Sequence, residues 1–281
     1  MCSVDNAQFC VLPQDAVLAL SSVHVNEPQR PGVPRSEGLL DSRFGAEDRF
    51  VPCGTCKNPL GVCPSHTGHI SLPMPIPMIV FKDTLVQLLN CVCCNCSTLL
   101  VDATQHAAAI QNLNGVEKLS KIYRTLRKKK KRATPIVCPN PECMWPQPET
   151  VMEMPYFMHQ WKRETLDLSN QFDPALLEFC YAQGLNNMDV VYLLKSIPHA
   201  TLTFLGFNPT FAHPADMMLQ NLLVPGSIVR PTMKQGDGSK RQTVNQLTRV
   251  LNIILRYTNQ ITTIMRTSSF DPVTMNNNTL P

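Results

Sequence analysis

Nine of the twelve cysteines fall in three tight groups, a distribution suited to holding metal ions. Cys53, Cys56 and Cys63 precede His66 in the pattern Cys53-x2-Cys56-x6-Cys63-x2-His66. Two residues between ligands is the spacing of a zinc knuckle, where a tight turn aims both sulfurs at one ion. Three thiolates and an imidazole complete a tetrahedron. A catalytic zinc keeps one position for water, so a full protein set predicts a structural site and argues against a zinc hydrolase. His69, three residues beyond His66, is read as a hydrogen-bonded structural histidine.

In the second group, Cys91 with Cys94 and Cys93 with Cys96 are both Cys-x2-Cys pairs, and spacing does not choose between them. Either pair needs two more donors, which Cys138 and Cys143 supply. The excursion between these halves is long, but loop-closure entropy grows only slowly with length. Metal binding would also be folding free energy and offset it. Cys2, Cys10 and Cys180 stand alone. Gln14 and Asp15 interrupt any apolar run near the N-terminus, so no secretory signal is expected. The thiols then face a reducing compartment, nuclear or cytoplasmic, where clusters read as metal ligands and not as disulfides.

The net charge of +4 hides an uneven distribution. Nine of the 25 Lys and Arg lie in 118–132 with no acid, leaving sixteen cations against 21 acids, or −5, elsewhere. The densest part is Arg127, Lys128, Lys129, Lys130, Lys131 and Arg132. Such a block reads as a solvated face, a phosphate-backbone contact or a nuclear localisation signal. No stretch of 18 apolar residues exists: Pro73, Pro75 and Pro77 break the best candidate, so no membrane partner is expected.

Elements must hold these groups in place. With 24 prolines against 12 glycines and 16% charged residues, the chain is expected to have many extended connections and no single helical bundle. Phe81, Leu85, Leu88 and Leu89 recur at helical spacing and lead into the second group; Leu99, Leu100 and Val101 read as a short strand. Residues 116–132 read as a helix that becomes wholly basic. Asp173 is a candidate N-cap with Pro174 at the first helical position, and Gly184 fits just past that helix's end. Val190, Leu193, Leu194 and Ile197 mark a helix stopped by Pro198. Leu247, Val250, Leu251, Ile254 and Ile261 mark the longest helix, its apolar stripe read as core. The expected class is α+β: irregular zinc-stabilised loops with helices and short strands. The expected division is an extended segment 1–37, a domain 38–265 with zinc modules 53–66 and 93–143, and a flexible tail 266–281.

The stretch DSRFGAEDRFVPCGTCKNPLGVCPSHTGHISL resembles the N-terminal signature of the largest subunit of eukaryotic and archaeal multisubunit RNA polymerases. Asp41, Arg43 and Gly45 fit the family's Asp-x-Arg-x-Gly. Cys53, Cys56, Cys63, Pro64, His66, Gly68, His69 and Ile70 fit its Cys-x2-Cys-x6-Cys-Pro-Gly-His-x-Gly-His-Ile, with Ser65 in place of Gly. CVCCNCSTLLVD resembles the family's second knuckle; that match selects Cys93 and Cys96, with Ser97 replacing a Gly. CPNPECMWPQP resembles the closing half, with Cys138, Cys143 and Gln147-Pro148. FNPTFAHPADMMLQNLLVPGSIVRP resembles a later family segment, with His213 for Arg and Ala215 for Glu, while Met217, Pro225, Arg230 and Pro231 keep their places. QLTRVLNIIL resembles the helix after the family's lid loop. These departures suit a divergent, possibly viral member, for which a virion is a further expected location.

The resemblance implies a clamp core, a wall that closes over DNA and the RNA–DNA hybrid beside the second-largest subunit. It implies two Zn2+ ions. Two Mg2+ would belong only to the complete polymerase, held by an Asn-Ala-Asp-Phe-Asp-Gly-Asp motif that these 281 residues lack, so no catalysis by this chain alone is expected. Lys234, Lys240 and Arg241, in KQGDGSKR, fall where the family has its lid and are candidates for nucleic-acid contact. The alternative is a free-standing zinc-stabilised module that binds a protein.

Overall fold

A computed structural model describes residues 10–28, 36–46, 50–131, 136–153, 155–160, 185–231, 233–234 and 242–267. The chain divides into two compact units, Gln14–Pro73 with Gln220–Thr274, and Met74–Leu219 with the two termini. The expected helix at Asp173, Pro174 and Gly184, and the tail beyond 267, lie outside the described residues.

The first unit begins with α1 (Gln14–Leu20) and β1 (Ser21–His24). β1 pairs in parallel with β2 (Thr67–Pro77), Ser21 opposite Thr67 and His24 opposite His69. β2 lies between β1 and β5 (Met218–Val224) in a three-stranded sheet. Val23, Ile70, Val224 and Phe44 form the core, closed by Leu251 and Leu255 of the terminal helix Gln246–Thr267. Gly68 is required where it stands: a Cβ there would meet the Phe44 ring and the Val23 carbonyl, each at 2.7 Å. Arg230 is 2% exposed; its Nε donates to the Pro225 carbonyl at 2.7 Å, its Nη1 donates to the Leu39 carbonyl, and its guanidinium lies 4.4 Å from the Phe44 ring centre. Two fork nitrogens and the planar face are used, which a lysine could not reproduce. β6 (Met233–Lys234) and β7 (Gln242–Thr243) pair as a short antiparallel ribbon.

The second unit is mainly helical. α2 (Lys82–Leu89) and α4 (Gly115–Lys131), linked through α3 (Ala103–Ile110), pack together. Leu85, Leu88, Leu119, Ile122 and Leu126 supply the contact, and Ser120 Oγ donates to Gln87 Oε1 at 3.1 Å. Asp102 caps α3 by accepting the Thr104 N–H at 2.9 Å. A hairpin of β3 (Glu149–Glu153) and β4 (Tyr156–Gln160) joins this core. α5 (Asn187–Ser196) starts at an Asn186 cap and is followed, after Pro198, by α6 (His199–Phe204). The terminal helix is α7.

Two expectations about elements change. Residues 99–101 form no strand: a single antiparallel bridge, Val92 to Leu99, closes the knuckle, and the backbone there is spent on the turn around Cys93. Along α7 the expected core stripe is only partly buried. Leu247, Val250 and Ile261 are 37–44% exposed, while Thr248, Leu251, Leu255 and Thr258 face inward.

Candidate metal centres

The first group is built on one tight loop. Cys53 N–H donates to the Asn58 carbonyl at 3.0 Å and Lys57 N–H returns to the Cys53 carbonyl at 2.9 Å, folding Cys53 and Cys56 to one side. The Cys63 N–H bonds to the Pro59 carbonyl at 3.1 Å, and His66 Nε2 lies 3.7 Å from Cys63 Sγ. All four donor atoms lie within 4.8 Å of one another. Thr55 N–H and Ser65 N–H point at the sulfurs of Cys53 and Cys63, at 3.3 and 3.4 Å. Burial pushes the Cys63 thiol upward, but the backbone N–H groups of Ser65 and Ala46 prevail and hold it below its ordinary value.

The Asp41-x-Arg43 segment braces this loop. The Asp41 carboxylate accepts the Arg43 N–H at 2.8 Å, Arg43 Nε at 3.0 Å, Nη2 at 2.7 Å and the Glu37 N–H at 2.7 Å. Behind it the Phe44 carbonyl accepts the His66 N–H at 2.9 Å and the Ser65 hydroxyl at 2.9 Å, and Gly54 N–H donates to the Ser42 carbonyl at 3.0 Å. His69 is not in the group. Its Nδ1 is 2.7 Å from Ser21 Oγ and its ring stacks on His24 at 4.5 Å; burial, then the His24 charge, hold its pKa down.

The second group joins Cys93 and Cys96 to Cys138 and Cys143, again with all donors within 4.8 Å. Cys96 Sγ is 3.5 Å from Cys138 Sγ, and Cys93 Sγ is 3.8 Å from Cys143 Sγ. These exceed a disulfide bond and match the edge, about 3.8 Å, of a tetrahedron with metal–sulfur bonds of about 2.3 Å. Cys91 and Cys94 stay out: the Cys91 carbonyl accepts the Leu100 N–H at 2.9 Å, and the Cys94 N–H donates to Gln147 Oε1 at 3.1 Å. The Cys93 thiol is pulled down to about 4 by its hydrogen bond with Cys94, against burial, aided by the N–H groups of Cys96 and Asn95. Burial pushes Cys138 up. Four sulfurs gathered at these separations suit a soft divalent cation.

The sequence reading did not foresee the brace at Asp41 and Arg43 as a contact to the metal loop, nor the amide of Gln147 beside Cys93. The Asp-x-Arg-x-Gly motif and the Gln-Pro after the last cysteine pair were the available signals. Among the candidate nucleic-acid contacts, Arg127 and Lys128 are exposed on α4, and Lys129, Lys130 and Lys131 end that helix. Lys234 lies in β6; Lys240, Arg241 and Arg132 are outside the described residues.

Two four-donor groups on an α+β scaffold define a protein with two sites able to hold structural metal ions. The family described as RNA polymerase Rpb1, domain 1 matches residues 1–280, so the chain belongs to that family and corresponds to the N-terminal region of a largest RNA polymerase subunit. It is 26% identical over 265 residues to the DNA-directed RNA polymerase subunit Rpo1N of Methanocaldococcus jannaschii, covering 92% of this chain and 18% of that one. Over 268 residues it is 28% identical to the DNA-directed RNA polymerase II subunit RPB1 of Euplotoides octocarinatus, covering 92% and 53%. It is 25% identical to Rpo1N of Thermoplasma acidophilum, covering 90% and 28%. The chain thus spans between about a fifth and a half of the length of these relatives. The resemblance read from the sequence is borne out at this level.

Proposed function

We propose that the chain is the zinc-stabilised clamp region of a DNA-directed RNA polymerase largest subunit, holding DNA and the RNA–DNA hybrid beside the second-largest subunit in the nucleus or cytoplasm. The observation that carries this reading is the pair of four-donor groups in a chain of this family. Cys53, Cys56, Cys63 and His66 would hold one Zn2+, and Cys93, Cys96, Cys138 and Cys143 the other. Zinc there supplies no reaction; it fixes loops too short to bury a core. Nucleotidyl transfer by the whole enzyme would use Mg2+ ligands outside these residues. Lys234, Lys240 and Arg241 are proposed to touch nucleic acid within the complex. The Arg127–Arg132 block is proposed to dominate nonspecific DNA affinity of the free chain, with steep salt dependence from counterion release.

The free-standing interaction module is kept as a second reading because of α7. Leu247, Val250, Ile254, Tyr257, Ile261 and Ile264 fall at alternating spacings of three and four, and five of them are at least 37% exposed. That is a seam for another protein surface. Affinity purification from cells making the tagged chain separates the two. Recovery of the second-largest polymerase subunit supports the clamp. Recovery of other proteins without any polymerase subunit supports the module. Replacing Lys234, Lys240 and Arg241 by Ala is expected to weaken assembled elongation complexes more than replacing the block. The reverse order contradicts the roles given to loop and block.

A further inference from the structure

The two metal groups differ in how they are closed. The first lies within fourteen residues, and apart from its own His66 the groups directed at its sulfurs among the described contacts are backbone N–H groups. The second joins Cys96 to Cys138 across 42 positions of sequence, so it needs something that ties its halves together. Gln147 does this. Its side chain is buried, the residue being 5% exposed. Nε2 donates to Cys93 Sγ at 3.1 Å and to the Trp145 carbonyl at 2.7 Å, while Oε1 accepts the Cys94 N–H at 3.1 Å. Two acceptors near Nε2 and one donor near Oε1 fix the orientation of the amide. The backbone beneath it is held as well: Gln147 N–H donates to the Ile136 carbonyl at 2.8 Å, and Cys138 N–H to the Trp145 carbonyl at 2.9 Å. One amide thus grips the knuckle at Cys93 and Cys94 from the ribbon that carries Cys138 and Cys143.

We infer that Gln147 is a positioning residue of the second metal site, locking the Cys93 sulfur in its ligating geometry by an N–H···S bond and coupling the two halves of the site. The inference rests on the zinc reading proposed above. A donor to a ligating sulfur spreads the charge of the thiolate and fixes its direction, as outer partners of metal ligands do elsewhere. Gln147→Glu keeps an acceptor for Cys94 but removes the donor and sets a carboxylate against the sulfur. Gln147→Met keeps the length and removes all three side-chain bonds.

The test is loss of zinc from the full chain to a chromophoric chelator, with Cys56→Ser as a background that leaves the second site alone. Zinc content of the unsubstituted chain comes first: fewer than two ions defeats the zinc reading itself, whatever Gln147 does. With two ions bound, Gln147→Met is expected to speed release of one by about 10–100-fold, the usual effect of removing such a partner, and Gln147→Glu by more. Release from the first site should not change. In cobalt-loaded protein the thiolate charge-transfer absorption of the second site should shift in both variants. A merely structural residue would move neither that band nor the ratio of the two rates. Unchanged release of both ions, or equal acceleration of both, overturns the assignment.

Discussion

Lys57, Ser97 and Met144 each follow the second cysteine of a pair or the last cysteine of a group, and each has a positive φ, 61°, 58° and 43°. Each sends its N–H back four residues, to the carbonyls of Cys53, Cys93 and Asn140 at 2.9, 3.0 and 2.9 Å. The turn that wraps backbone donors around a sulfur demands this left-handed step. The sequence showed Ser65 and Ser97 standing where the family has Gly; the physical reason is that both lie at positive φ, 70° and 58°. Ser97→Gly is expected to stabilise the metal-loaded chain by roughly 0.5–1 kcal/mol, because a side chain costs energy in this region and glycine does not. Its hydroxyl reaches only the Leu193 carbonyl at 3.4 Å, a weak bond to lose. Ser65→Gly should gain nothing, since that hydroxyl holds the Phe44 carbonyl at 2.9 Å. Urea midpoints check both; a lower midpoint for Ser97→Gly contradicts the account. Asp41 gives a pH signature. Burial alone would raise its pKa, yet the Arg43 side chain and the N–H groups of Arg43 and Glu37 bring it below 3.8. A carboxylate depressed in the fold contributes stability above its unfolded value, and that contribution is lost as pH falls through the folded one. The chain should therefore lose stability below about pH 4 by this route, and Asp41→Asn should flatten that part of the acid limb.

At the scale of elements, periodicity located helices well and faces poorly. α2, α4, α5 and α7 lie where spacing put them, α4 within one residue at each end of the expected 116–132. The apolar positions of α7 form two stripes, and a sequence pattern does not say which meets the core. The inward one is marked by two threonines with Leu251 and Leu255, a weaker hydrophobic signal than the outward seam. The missing strand at 99–101 has a similar cause: its residues are buried, but their hydrogen bonds go to a metal knuckle. Leu251→Ala is expected to cost about 2–4 kcal/mol, the range for emptying a buried leucine site. Tyr257→Ala, at a position 62% exposed, should cost about 0.5 kcal/mol or less in the isolated chain. Chemical denaturation distinguishes them; equal losses would mean the seam is covered within this chain.

At the scale of the whole molecule, the cysteine spacing alone made both metal groups legible, and family likeness chose between the overlapping pairs of the second. What spacing could not supply was the support: the local Asp41–Arg43 brace, the Gln147 amide reaching back to Cys93, and the buried Arg230 reaching the Leu39 carbonyl. Each unit carries one metal group, so the two should respond separately to metal removal. Chelation is expected to loosen both loops, with protection of backbone amides around Cys53–His66 and around Cys93–Cys143 lost first in hydrogen exchange. The central claim is that two independent four-ligand zinc sites hold this polymerase region together. Elemental analysis of the purified full chain, alone and with Cys138→Ser, tests it most directly. The account predicts two zinc ions per chain, falling to one in the variant. A single ion in the unsubstituted chain, or two retained in Cys138→Ser, would contradict it.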